Sequence, residues 1–166
     1  MAVLEILTYP DERLRQISAP VQVFDAGFQT RIDDLEETRL AGPGAVGIAA
    51  PQVGWFERVV IVDVSGRKKT RNHGHLILVN PEITEWEGHK VGREGCLSVP
   101  DYTGNVIRAE KIHLDALDRA GNPLSFDMDG FEARAIQHEM DHIDGLLFLD
   151  RLVSRRQDLF QRKVYE

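Results

Sequence analysis

The chain has 166 residues, a formal net charge of -7 and one cysteine. This length can bury a hydrophobic core of its own, so we expect residues 1–166 to form a single domain. The acidic balance argues against general nucleic-acid binding, and against DNA as a partner. A lone cysteine excludes an internal disulfide and favours a reducing compartment. With no apolar run of the roughly 20 residues that a membrane span needs, and no signal-peptide pattern, we expect a cytoplasmic protein.

The first half of the chain predicts one surface helix followed by strands. A proline-initiated helical turn follows Tyr9-Pro10. Apolar residues recur at helical spacing over 25–40, with charges between them, which is typical of an amphipathic helix packed on a sheet. The β-branched run 58–64 indicates a strand. The basic, polar stretch 65–75 reads as an exposed loop, although its cations could also contact RNA.

The second half predicts antiparallel strands that lead into a helix. Segments 76–79 and 83–86 are short strands, and 111–117 with 124–128 form a hairpin. At the C-terminal end, 150–165 has apolar residues at helical spacing and a cluster of basic ones, which indicates a closing amphipathic helix. We therefore expect an α+β fold, with antiparallel β-sheets packed around a central buried helix and a C-terminal helix.

The stretch from His138 to His142 reads His-Glu-Met-Asp-His. Two histidines four apart on a helix lie on one face, so both imidazoles can reach one divalent ion. Glu139 is placed to accept a proton from a water activated by that ion. Asp129 and Glu132 predict a capping box before this helix, and Gly145 predicts its end.

A catalytic metal site of this kind needs a third protein ligand. A metzincin-like site is excluded because Phe148 stands where that motif places its third histidine. A thermolysin-like site is poorly supported because the only glutamate after Gly145 is Glu166. The strongest remaining ligand is Cys96, although a lone cysteine is more often a small buried apolar residue.

Three motifs together resemble those of the peptide deformylase family, in the family's chain order. They are Gly47-Ile48-Ala49-Ala50-Pro51-Gln52, Glu94-Gly95-Cys96-Leu97-Ser98-Val99-Pro100 and Gln137-His138-Glu139-Met140-Asp141-His142. The resemblance implies one deformylase-like catalytic domain that removes the N-terminal formyl group from formylmethionine of newly made proteins, releasing formate. It also implies the following roles: metal ligands Cys96, His138 and His142; catalytic residues Glu139, Gln52 and Leu97; substrate-binding residues Val46, Gly47, Ile48, Glu94 and Gly95.

The resemblance further implies a cofactor and partners. The family's usual ion is Fe(II), with Ni(II), Co(II) or Zn(II) as substitutes, whereas ligand softness alone favours zinc over iron. Formylmethionyl nascent peptides are the expected substrates, and the basic C-terminal segment could dock near the ribosomal exit tunnel. Two other classes stay open from the residues: a zinc aminopeptidase or protease, and a deformylase-like binding protein without activity.

The chain departs from the family pattern at two positions. Ala45 stands where the family commonly has a glycine, with Gly44 just before it. If this position needs a positive φ, Ala45 would be strained there. Alternatively, Gly44 could take that conformation in its place. Some members carry an arginine where this chain has Thr103, so the preference for substrate side chains is expected to differ.

Overall fold

The computed structural model describes residues 2–67, 70–154 and 156–162. The described chain folds into two antiparallel sheets and two α-helices, which confirms the predicted α+β class. The helices are α1 (Ala26–Ala41) and α2 (Gly130–Ile143). The strands are β1 (Gly47–Ala49), β2 (Val59–Asp63), β3 (His75–Glu87), β4 (Lys90–Cys96), β5 (Val99–Arg108), β6 (Lys111–Leu117), β7 (Pro123–Asp129) and β8 (Leu159–Gln161). No helix in these ranges is long and apolar enough to cross a membrane.

The larger sheet has the order β1-β2-β3-β6-β7 and is covered on both faces. Val60 and Val62 of β2 pack in the same cluster as residues of α2, whereas Val59 and Ile61 pack with residues of α1. Successive side chains of a strand point to opposite faces, so a strand buried on both faces is apolar throughout. This explains why β2 reads as a continuous β-branched run.

Helix α2 is buried along most of its length. Ile136 and Ile143 are fully buried in the core against the larger sheet, and each such burial is worth roughly 1.5–3 kcal/mol. The predicted capping box is wrong, because Asp129 makes no side-chain cap hydrogen bond. The buried carboxylate of Glu132 instead accepts from the backbone N–H of His73, 2.7 Å away. That contact fixes the loop before β3 on the start of α2.

The predicted strands 76–79 and 83–86 are two halves of β3. The pairing of β3 with β6 shifts register between Val79 and Glu82. Asn80 lies in this irregularity with a φ of 49°, and its side chain accepts from the backbone N–H of Val21 at 2.8 Å. An asparagine tolerates this left-handed conformation, so the strand bends there without ending.

The smaller sheet, with the order β4-β5-β8, carries Cys96 at the end of β4. Its last strand differs from the prediction of a helix over 150–165. The described part of that segment has a short 3-10 helix, Phe148–Arg151, and then β8, which pairs with β5 through Phe160 and Thr103. A short apolar run fits a strand as well as a helix, and here tertiary pairing decides. Basic residues Lys68, Lys69, Arg155 and Lys163 lie outside the described residues.

Candidate active site

Three potential metal ligands converge where the end of β4 meets α2. One ligand atom each from Cys96, His138 and His142 all lie within 4.8 Å of one another. The Cys96 Sγ atom is 3.3 Å from Nε2 of His142. A tetrahedral ion with bonds of about 2.0–2.3 Å separates its ligand atoms by roughly 3.5 Å, so this spacing suits one divalent ion. Burial lowers the pKa of His142 well below its usual value, which favours the neutral ring that binds metals.

Glu94 orients the first histidine. Its carboxylate lies 2.8 Å from Nδ1 of His138, and a carboxylate can only accept, so Nδ1 carries the hydrogen. The Nε2 lone pair of His138 is thereby left for a metal, in the arrangement that commonly fixes ligating histidines. His142 lacks such support within the described ranges, where its Nδ1 has no hydrogen-bond partner.

A buried ion-pair network extends behind Glu94, and sequence reasoning missed it. The guanidinium of Arg108 binds both oxygens of Glu94, at 3.0 and 2.9 Å, and also contacts Asp141 at 2.5 Å. Arg134 binds Glu94 at 2.7 Å, and Arg151 binds Asp141 at 3.1 Å. Although burial opposes its charge, bonding to His138 and Arg108 holds the pKa of the Glu94 carboxyl well below its usual range. Glu94 therefore stays ionised and holds His138 in place.

Glu139 is a buried carboxylate that faces the same site. Its Oε1 atom has no hydrogen-bond partner in the described part of the chain and lies 3.9 Å from Nε2 of His142. Burial raises the pKa of Glu139 to about 7. The other oxygen packs on Gly47, where an added Cβ would lie only 2.6 Å from it. A side chain at position 47 would therefore collide with Glu139, which explains the glycine there. The sequence alone did not indicate this contact.

Gln52 lies across from these groups with a fixed orientation. Its Oε1 accepts from the backbone N–H of Ala49 at 2.9 Å, so its Nε2 faces the site, 3.5 Å from Cys96 Sγ and 3.0 Å from Ser98 Oγ. The backbone N–H of Ser98 also reaches the sulfur, at 3.4 Å. Two N–H groups are therefore directed at the sulfur of Cys96.

A cleft with a volume of about 550 Å³ opens onto these residues. It is lined by most of the predicted site residues, namely Val46, Gly47, Gln52, Glu94, Gly95, Cys96, Leu97, His138 and Glu139. Ile48 does not line it, because alternation along β1 turns this side chain into the core with α1. A larger groove, of about 740 Å³, runs along β3, β6 and β7 and contains none of the three potential ligands.

The cleft lies between two strand edges. Within the described chain, β1 pairs only with β2, and β4 pairs only with β5, so each has one edge without a strand partner. Before β1, Gly44 takes a φ of +66°, whereas Asn80 is the one non-glycine residue with a positive φ in the described ranges. Ala45 is therefore unstrained, and Gly44 supplies the left-handed turn in its place.

Comparisons with known proteins show the family of this chain. The family model described as polypeptide deformylase matches residues 3–158. The peptide deformylase of Chromobacterium violaceum is 44% identical over 164 residues, which is 99% of this chain and 95% of the relative.

Solved structures agree in fold as well as in sequence. The peptide deformylase of Legionella pneumophila is 44% identical and superposes with a TM-score of 0.85 over 93% of this chain and 90% of that one. That of Ehrlichia chaffeensis, solved in complex with actinonin, is 34% identical, with a TM-score of 0.86 over 94% and 92% of the two chains. Sequence, fold and site geometry therefore place the chain in the polypeptide deformylase family, hydrolases that remove the formyl group from the N-formylmethionine of nascent peptides.

Proposed function

We propose that Cys96, His138 and His142 hold one divalent ion and that Glu139 carries the proton in hydrolysis of the formamide bond. The observation that carries this proposal is the convergence of the three ligand atoms beside a buried carboxylate whose Oε1 has no partner among the described residues. A bound ion would lower the pKa of a water molecule and polarise the formyl carbonyl.

Glu139 acts first as base and then as acid. It accepts a proton from the attacking water as the oxygen bonds to the formyl carbon, and it delivers a proton to the methionine nitrogen as the C–N bond breaks. The products are formate and a free amine. A carboxyl whose pKa lies at about 7 can perform both transfers near neutral pH.

Gln52 and Leu97 stabilise the oxygen that becomes negative during attack. The contact from Ala49 to Oε1 of Gln52 supports this role, because it directs the amide N–H₂ group to the site before substrate binds. The backbone N–H of Leu97, in the turn between β4 and β5, is the second donor. Donors fixed in advance need no reorganisation as charge develops.

The substrate peptide lies extended between the two strand edges that border the cleft. The backbone of Gly47 on one side, and that of Gly95 on the other, are available for strand-like pairing with it. The carbonyl of Val46 already accepts from the backbone N–H of Asp63 at 2.8 Å, so Val46 and Ile48 border the peptide mainly by holding β1 on β2. Main-chain pairing of this kind fits many sequences after the formylmethionine. Glu94 acts through His138 in this proposal and does not contact the peptide.

A methyl group at position 47 should disturb Glu139 without touching the ligands. We expect Gly47→Ala to lower kcat for a formyl-Met peptide by about 10- to 100-fold, since misplacing a reacting group by about 1 Å can cost that much. The measurement is formate release at saturating peptide, with metal content determined on the same sample.

The matched control for Gly47→Ala is Gly66→Ala. An added Cβ at Gly66 would meet nothing within 4 Å, so this variant should keep the parent kcat. Equal kcat for the two variants would show that the contact with Glu139 does not matter for turnover.

Fe(II) is the ion that we propose, with Ni(II), Co(II) or Zn(II) as substitutes. One sulfur and two imidazole nitrogens suit several of these metals, and ligand softness alone favours zinc, so the proposal of iron rests on the family resemblance. The test is formate release from formyl-Met-Ala-Ser by protein purified without oxygen, with bound metal counted. Rapid release with one iron per chain supports the proposal; no release from metal-loaded protein contradicts it.

We also propose a cytoplasmic location and docking near the ribosomal exit tunnel through the basic C-terminal segment. The exposed Arg156 supports docking, whereas Arg151 is engaged by Asp141 and contributes less. Charge reversal at Arg156 should weaken co-sedimentation with ribosomes, and the same change at Arg71, which is 86% exposed on another surface, should not. Equal co-sedimentation of both variants with the parent would exclude this route.

A further inference from the structure

Three arginines lie on the rim of the cleft. They are Arg67 in the loop after β2, Arg93 on β4 and Arg162 after β8, and all three line the cleft. None of them forms an ion pair with a carboxylate in the part of the chain that the structure describes. We call Arg67, Arg93 and Arg162 the arginine rim. Arg134 lines the same cleft, but Glu94 neutralises it.

Each rim guanidinium is held in place by a contact other than an ion pair. That of Arg67 lies 3.8 Å from the ring centroid of Phe131, and that of Arg93 lies 3.7 Å from the ring centroid of Phe160. Arg162 lies on Gly95, where an added Cβ would be 2.5 Å from its Nη2 atom. Stacking of this kind restrains the side chain and does not neutralise its charge. Arg93 also donates to Oδ1 of Asn105 at 3.2 Å and to Oγ1 of Thr103 at 3.5 Å, so only its remaining N–H groups can meet a ligand.

The rim makes the cleft locally cationic in a chain of net charge -7. Among the described residues, the carboxylates that line the cleft are Glu94 and Glu139. Both are buried, the first within its ion-pair network and the second in the reaction centre. Neither offsets the rim at the cleft mouth. An extended peptide that enters there meets, on both walls, positive charge that no carboxylate of the described chain pairs.

The position of the rim along β4 indicates which part of the substrate meets it. Arg93 is three residues before Cys96 on the strand, or about 10 Å at the rise of an extended chain. A formyl group at the ligand cluster therefore places the second and third residues after the formylmethionine at the level of the rim. This inference rests on the proposed function of the site.

We propose that the arginine rim selects formylated peptides with acidic side chains at the second and third positions after the formylmethionine. Arg67, Arg93 and Arg162 attract those carboxylates and disfavour lysine or arginine at the same positions. Because the charges are exposed, the preference is moderate and is screened by salt.

The test compares kcat/KM for three peptide amides, formyl-Met-Ala-Glu-Glu, formyl-Met-Ala-Gln-Gln and formyl-Met-Ala-Lys-Lys. We expect the glutamate peptide to exceed the lysine peptide by about 5- to 20-fold at low ionic strength, with the glutamine peptide between them. The ratio should fall toward 1 in concentrated salt. A ratio near 1 at low salt would refute the proposal.

Variants separate charge from stacking. Replacing all three rim arginines with glutamine should bring the glutamate-to-lysine ratio below about 2, and replacing them with lysine should preserve most of it. Single replacements, each lowering the ratio in part, give the same answer if the triple variant does not fold. Arg31→Gln is the control, because Arg31 also lies over an aromatic ring, that of Trp55, away from the cleft.

Two other outcomes would count against the rim as a peptide selector. An unchanged ratio in the triple glutamine variant, together with weaker binding to ribosomal RNA, would make the rim an RNA contact. Absence of formate from all three peptides with metal-loaded parent protein would overturn the proposed function and this inference together. Turnover of the glutamine peptide with no charge preference would overturn the inference alone.

Discussion

Replacing Glu139 with glutamine is expected to lower kcat for formyl-peptide hydrolysis by about 10²- to 10⁴-fold, the range for loss of a positioned acid-base group. Glutamine keeps the size of the side chain but cannot accept the proton from the attacking water. Its amide group would occupy the position of Glu139 Oε1, which has no hydrogen-bond partner in the described chain. The measurement is steady-state formate release, with bound metal quantified for parent and variant.

Metal content separates a chemical effect from a structural one. Glu139→Gln should retain its ion, because Glu139 is not among the three converging ligands. Glu82→Gln makes the same chemical change at an exposed position on β3 and should keep the parent kcat. Near-normal turnover by Glu139→Gln would remove Glu139 from the proton-transfer role.

Replacing Arg108 with alanine is expected to lower the free energy of unfolding by about 3 kcal/mol, the lower end of the cost of breaking a buried ion pair, because Arg134 and Arg151 still bind the two carboxylates. Arg108 is 4% exposed and bridges Glu94 to Asp141. Without it, the carboxylates of Glu94 and Asp141 stay buried beside α2 with one arginine each, and Glu94 holds His138 less firmly. Urea unfolding at matched metal content measures the change.

The effect of Arg108→Ala should depend on pH. Bonding to His138 and Arg108 depresses the pKa of Glu94 in the folded protein, so its stabilising contribution is complete above the unfolded pKa of about 4.5. That contribution is lost as pH falls toward the folded value. The difference between parent and variant should therefore shrink below pH 4.5.

A surface arginine provides the comparison for Arg108. Arg71→Ala removes a side chain that is 86% exposed and lies 3.7 Å from Asp129. Exposed pairs contribute little, so this variant should lose less than about 1 kcal/mol. An equally small loss for Arg108→Ala would mean that water or rearrangement compensates the buried network.

The convergence of two candidate histidine ligands could be predicted from the sequence because it depends on local spacing. The i, i+4 separation of His138 and His142 brings their rings to one face of α2, with centroids 5.1 Å apart. Cys96 was predicted as the third ligand because the other possible third ligands were excluded or poorly supported. Gln52 and Leu97 came from resemblance alone, since no local pattern links residues so far apart in the chain.

The network around Arg108 could not be predicted in the same way. Its partners, Glu94 and Asp141, lie 14 and 33 residues away, and long-range ion pairs leave no periodic signal. One clue was present: Asp141 lies inside the buried helix motif, where an unpaired carboxylate would be costly. That cost implied a cationic partner for Asp141, but it did not identify the residue. The prediction of a C-terminal helix was wrong for a related reason, because β8 forms through tertiary pairing with β5.

The three candidate ligands come from two structural layers, so a bound ion would also act on the stability of the fold. Cys96 belongs to the smaller sheet, and both histidines belong to the helix packed on the larger one. An ion held by all three would be a removable cross-link between these layers. Because the ion would bind only when both layers are assembled, its binding free energy would stabilise their association. Metal loss would thus weaken the same junction that forms the peptide cleft.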